Sequence, residues 1–151
     1  MREIKFRGKT ASWGWIYSRD IRHIGNDVFL NDEKYLGDDG CFMTVDPDTV
    51  GQYTGMKDAN GREIYEGDIV QSYVFAMNED EEIIEFWRVG EIRFCQGGFV
   101  LMNCTNYDTQ DRTIKSDIQP SKQSKNRFPS YRSEIIGNIY DNPELLKGGA
   151  K

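Results

Sequence analysis

One run constrains the fold more than any other: QYTGMKDANGREIYEGDIV, residues 52–70. It sets two turns between short apolar stretches. Asn60-Gly61 is the strongest hairpin signal in the chain, because both residue types tolerate positive φ. It links the 52–56 stretch to 62–65. Gly67-Asp68 comes next. The glycine permits a tight turn, and the aspartate side chain can accept hydrogen bonds from nearby backbone amides. Ile69 then opens a strand to Phe75.

The rest of the chain also reads mostly as strand. In REIKFRG, Ile4 and Phe6 alternate with Glu3, Lys5 and Arg7, the period-2 mark of a half-buried strand. In SWGWIYS, Trp13, Trp15 and Tyr17 share one face, and Ile16 shares the other with small residues. Such an aromatic stripe fills a core or covers a subunit interface, and both readings stay open. A short strand follows at 28–30, then a polar loop at 31–40. Asp46-Pro47 is a helix start, a side-chain cap followed by a residue with φ already set, and Gly51 stops it after one turn. Five acids crowd residues 78–85 and predict a solvated hairpin tip. Residues 83–89 and 91–94 read as one strand, bulged or bent at Gly90. Gly97-Gly98 turns the chain into a strand at 99–103. Residues 105–131 are polar and hold two prolines, which predicts a long, poorly ordered loop. A last strand is expected at 134–140. Asn142-Pro143 then starts a short helix that Gly148 stops.

This spacing predicts a mainly β (α+β) protein in two parts. Residues 1–66 form an N-terminal β-rich subdomain with a candidate oligomerisation surface. Residues 67–148 form an SH3-like small barrel with short helical turns, interrupted by the 105–131 loop. Ile69, Val70, Phe94, Phe99, Ile136 and Ile139 are its expected core.

A second distinctive run, EIIGNIYDNPELL, occupies residues 134–146. With the 52–70 run and the strand-like start REIKFRG, it resembles the YopX-like proteins of phages and prophages of Gram-positive bacteria. The resemblance implies an N-terminal α+β part joined to a barrel-like C-terminal part, and a place in the cytoplasm of a bacterial host cell. It implies no particular chemistry, because the family has no assigned biochemical function.

Composition excludes several classes. Hydrophobic residues make up only 38% of the 151, so the 13% that are aromatic must carry much of the core. A net charge of −6 gives no general attraction to nucleic acid or to anionic membranes. Cys41, Cys95 and Cys104 are scattered, and His23 is the only histidine, so the paired ligands of a structural zinc site are missing. No metal and no cofactor is expected. The start MREIKFRGKT is charged and lacks the apolar stretch of a secretory signal. A Ser-His-Asp or Cys-His nucleophile would have to use His23, which reads as a surface or hairpin residue. Neither G-x-G-x-x-G nor a P-loop is present.

Two constellations remain. Glu63, Glu66 and Asp68 stand in the signature run and would make an acid/base or metal cluster. The turn-forming types around them favour a structural role instead. A calcium loop fails on spacing: with Gly61 in sixth place, Met56 and Gly67 would be the first and twelfth ligands. The second constellation is basic. Lys115, Lys122, Lys125, Arg127 and Arg132 stand against Asp117 alone, with Phe128 and Tyr131 among them. Cations interleaved with aromatics can track phosphates and stack bases. A solvated loop that keeps to the chain's own acidic surface is the plainer reading. The expected function is therefore non-enzymatic binding, with a homo-oligomer formed through Trp13, Trp15 and Tyr17 and a host or phage protein as partner. The alternative is a nucleic-acid-binding accessory protein using Lys122, Lys125, Arg127 and Arg132. A carboxylate-based metal-dependent enzyme ranks last.

Overall fold

The computed structural model describes residues 3–32, 41–77, 80–114 and 132–146. The protein is mainly β. Its antiparallel sheets are curled, and helical structure among the described residues is confined to short 3-10 turns. Chain contacts divide it into two units, residues 1–55 and 56–151.

In the first unit, β1 (Phe6–Lys9) and β2 (Trp15–Ser18) form a hairpin, with Phe6 opposite Ser18 and Lys9 opposite Trp15. Thr10 closes its turn: the hydroxyl donates to the Gly14 carbonyl at 2.9 Å and accepts from the Trp13 amide at 2.8 Å. The first residues of β6 (Gly51–Lys57) pair with the other edge of β1. A second sheet joins β3 (Ile21–Ile24), β4 (Asp27–Asn31) and β5 (Phe42–Val45) in that order. Between β5 and β6, Asp46 caps the turn Pro47–Thr49, accepting from the Asp48 amide at 3.0 Å as its sequence predicts. Thr49 then accepts from the Lys9 amide at 2.9 Å and locks the turn to β1.

The core of this unit is Ile16, Val28, Leu30 and Val45, with Phe6, Ile21, Met43 and Val50 against them. Gly8 lies so close to Val45 that a Cβ there would stand 2.9 Å from its side chain. Phe6 and Gly8 therefore face inward, as alternation predicts, but Ile4 precedes the strand and is exposed. The strand Ile21–Ile24 was not expected; Arg22, His23 and Ile24 are all exposed, so its residue types show no inward–outward period.

The second unit adds β7 (Glu63–Tyr65), β8 (Asp68–Met77), β9 (Ile83–Cys95), β10 (Gly98–Tyr107) and β11 (Ser133–Asn138). Four of them form a sheet in the order β10-β9-β8-β11. Apolar clusters cover both faces. Val70, Ile92, Phe99, Leu101 and Ile135 pack with Ile64 on one. Ile69, Val89 and Tyr107 pack on the other with Trp87, Ile136, Ile139, Leu145 and Leu146. The last two belong to the 3-10 turn Pro143–Leu146, which closes that face.

Several expectations need correction here. β10 continues through Cys104 to Tyr107, so the polar segment starts later than predicted; residues 115–131 lie outside the described residues. The irregularity at Gly90 is on the facing strand: β10 bulges between Met102 and Thr105, with Asn103 at φ 54°, while β9 runs unbroken. Gly90 is there because a Cβ would meet Cys104 Sγ and Leu101 Cγ at 2.8 Å. Ile69, Val70 and Phe99 are buried and Ile136 and Ile139 half-buried, but Phe94 is 51% exposed. It sits at the sheet's end beside the turn, edge-to-face with Phe99, ring centroids 5.3 Å apart.

Gly90→Ala should therefore destabilise the protein by about 1–3 kcal/mol through overpacking. Gly98→Ala meets open space and should change stability by less than about 0.5 kcal/mol. Urea unfolding of the two variants checks the difference.

Candidate functional site

The signature run folds as the hairpin β6–β7. The Gly61 amide donates to the Asp58 carbonyl at 3.0 Å, and the Asp58 amide to the Arg62 carbonyl at 2.8 Å. Gly61 has φ 79°, whereas Asn60 is absent from the positive-φ residues. The loop is thus a type I turn closed by a glycine bulge rather than a two-residue turn with both residues at positive φ.

Asp58 is the polar centre of this hairpin, and sequence reasoning passed over it. Its Oδ1 accepts from the amides of Asn60 and Arg62, both at 2.9 Å. Its Oδ2 accepts from the amide of Ile135 on β11 at 3.0 Å, a residue 77 positions later. The Ala59 amide donates to the Ser133 carbonyl at 2.8 Å beside it. Burial pushes the Asp58 pKa up, but the Ile135, Arg62 and Asn60 amides and the Arg62 charge outweigh it, so the carboxyl lies below its ordinary value.

The other acids of the run are separate. Asp68 is buried and its Oδ2 accepts from the Tyr65 amide at 2.8 Å. Glu63 accepts from the Tyr65 hydroxyl and Glu66 from the Phe94 amide, each at 3.4 Å. These contacts make turns. Among the described residues, no three His, Cys, Asp or Glu side chains are placed to hold a metal ion. Gly67, at φ 92°, donates to the Ile92 carbonyl and accepts from the Ile139 amide, so the turn ties β8 to its neighbours.

Of the predicted interface residues, Trp15 and Tyr17 lie on the β2 face opposite Ile16 and Ser18. The core takes Ile16, so the stripe is not core. Trp13 is in the turn before β2 and is 71% exposed; Tyr17 is 40% exposed. Arg7 stacks over the Trp15 ring at 4.7 Å. A second exposed apolar strip was missed: Phe75, Met77 and Ile83 on the β8–β9 hairpin. Of the predicted basic group, Arg132 is exposed just before β11, and Lys122, Lys125 and Arg127 lie outside the described residues.

A buried polar group on the second unit's sheet also escaped the sequence reading. Ser133, Ser72, Arg88 and Asn106 stand directly opposite one another on adjacent strands. Cys104 lies near Arg88. Burial pushes its thiol pKa up, Arg88 opposes that and Glu91 adds to it, which leaves a poor nucleophile. Glu91 itself is buried on the opposite face, held by Arg93 Nε at 2.7 Å and by Asn103 of the bulge.

Because the folded Asp58 pKa is depressed, its stabilisation is fully present above the unfolded carboxylate value, about 4, and is lost as pH falls through the folded value. Asp58→Asn should cost about 1–3 kcal/mol near neutral pH, since an amide cannot accept from all three backbone groups. The gap to the parent should narrow as pH falls below about 4. Urea titrations at both pH values check this, and a gap independent of pH would contradict it.

Among the described residues, no helix is long and apolar enough to cross a membrane. No curated protein matches the sequence. A crystal structure of protein EF1440 from Enterococcus faecalis is similar over 97% of this chain and 99% of its own, with 23% identity and a TM-score of 0.42. The family model described as YopX protein matches residues 5–147, nearly the whole length and both signature runs. The chain belongs to the YopX protein family.

Proposed function

We propose that the protein works by binding rather than catalysis, and that it self-associates through the aromatic face around β2. One observation carries this reading: Trp13 and Tyr17 present their rings to solvent while Ile16 of the same strand fills the core. Exposed rings of this size are costly to leave in water and favourable to cover. β2 is the outermost strand of its sheet, so a two-fold-related copy meets the same rings on the same kind of strand. The separate backbone bonds of Asp58, Glu66 and Asp68, and the raised thiol pKa of Cys104, support a binding role. We take the protein to be phage-encoded and to act in the cytoplasm of the bacterial host, on the family likeness. We take the second unit to be a small barrel of the SH3 type, on its succession of antiparallel strands joined by tight turns.

Light scattering at micromolar concentration tests the self-association. The parent should run as an oligomer. Trp13→Ser with Tyr17→Ser should shift it toward monomer with stability nearly unchanged, because exposed positions contribute little to folding. A monomeric parent contradicts the reading. An oligomer that the double variant leaves intact places the interface elsewhere, and Phe75, Met77 and Ile83 then become the candidates.

A further inference from the structure

One polar row crosses an otherwise apolar sheet face. Ser133 faces Ser72, Ser72 faces Arg88, and Arg88 faces Asn106, so β11, β8, β9 and β10 each give one side chain. Directly opposite residues in antiparallel strands point to the same side. Val70, Ile92, Leu101 and Ile135 lie on that side, and so does Phe86. Ser133, Ser72 and Asn106 are each no more than 2% exposed, while Arg88 is only part-buried. The row therefore opens to solvent at the guanidinium.

Bonding within the row leaves donors over. Ser72 and Ser133 share a hydrogen bond of 2.6 Å between hydroxyls. Arg88 Nε donates to Asn106 Oδ1 at 3.0 Å. That bond fixes the amide's orientation, because the flipped amide would set donor against donor. It also commits Asn106 Nδ2 to the buried side, where no described residue offers it an acceptor. Arg88 has no ion pair with a described residue; its guanidinium stacks over Phe86 at 5.3 Å. A buried amide donor without an acceptor costs free energy, as does a half-buried cation without a counter-charge. Each is relieved by a group that is negatively charged and accepts several hydrogen bonds.

We propose that Arg88 and Asn106 form a binding site for an oxyanion, a phosphate or a carboxylate group. Arg88 supplies the charge and its Nη donors, Asn106 supplies Nδ2, and the Ser72–Ser133 pair lies next in the row. A guanidinium matches two oxygens of either group, so the chemistry is shared and the source is decided by experiment. This site goes beyond the self-association reading and is independent of it.

The test titrates the full chain with inorganic phosphate and, separately, acetate, at constant ionic strength and low millimolar concentration. Observables are the melting temperature and the side-chain NMR signals of Asn106 Nδ2 and Arg88 Nε. The parent should show saturable shifts of both signals. Its melting temperature should rise by roughly 3–6 °C at tenfold the dissociation constant. Response to phosphate alone, or to acetate alone, identifies the group that the site takes. Arg88→Met should remove the response. Asn106→Asp should also remove it while raising the melting temperature, since it places a carboxylate beside Arg88. Unmoved Asn106 and Arg88 signals in the parent with both probes overturn the proposal, whatever the variants do. So does a saturable response that Asn106→Asp retains.

Discussion

Asp58 holds the second unit together. A single carboxylate accepts three backbone amides, two from its own turn and one from a strand 77 residues away. The signature hairpin could form locally, because Asn60-Gly61 and its flanking strands specify it. β11 is different: it must find β8 after a long excursion of chain, and such closure carries an entropy cost. The Asp58 bond to Ile135 and the Ala59 bond to Ser133 dock its start, and Gly67 bonded to Ile139 docks the chain beyond its end. Both distinctive sequence runs are thereby explained as two sides of one junction.

Glycines and polar groups set how closely the sheet packs around that junction. Gly90 lets Cys104 and Leu101 approach β9, and the β10 bulge supplies the extra residue that brings Cys104 there. The bulge is then pinned by Asn103 on Glu91. The Gly137 position is similarly filled by Asn142, whose Oδ1 would stand 2.6 Å from an added Cβ and accepts instead from the Asn138 amide at 3.3 Å. The Asn142-Pro143 signal therefore marks the right place, but the asparagine side chain reaches back toward β11 rather than forward into the turn.

What was legible in the sequence was local. Asp46-Pro47, Asn60-Gly61 and Gly67-Asp68 all turn the chain where their chemistry says, while the turn expected at Gly97-Gly98 falls one residue earlier, at Gln96-Gly97. Strand faces were less legible. In SWGWIYS the rings carry more apolar area than Ile16, yet Ile16 faces Val28, Leu30 and Val45, partners that lie well along the chain. The polar row had no signal at all. Ser72, Arg88, Asn106 and Ser133 look like ordinary solvent-facing residues until register sets them side by side, and register here depends on the β10 bulge. Asp58 was hidden in the same way, as one more turn former beside Asn60 and Gly61.

Native-state hydrogen exchange in Asp58→Ala tests the junction most directly. The Ile135 amide should be well protected in the parent and lose most of its protection in the variant. Losses should spread along β11, while amides shared by β8 and β9 stay protected. If Ile135 and the rest of β11 exchange in the variant as slowly as in the parent, Asp58 does not hold β11 and the account of both signature runs fails.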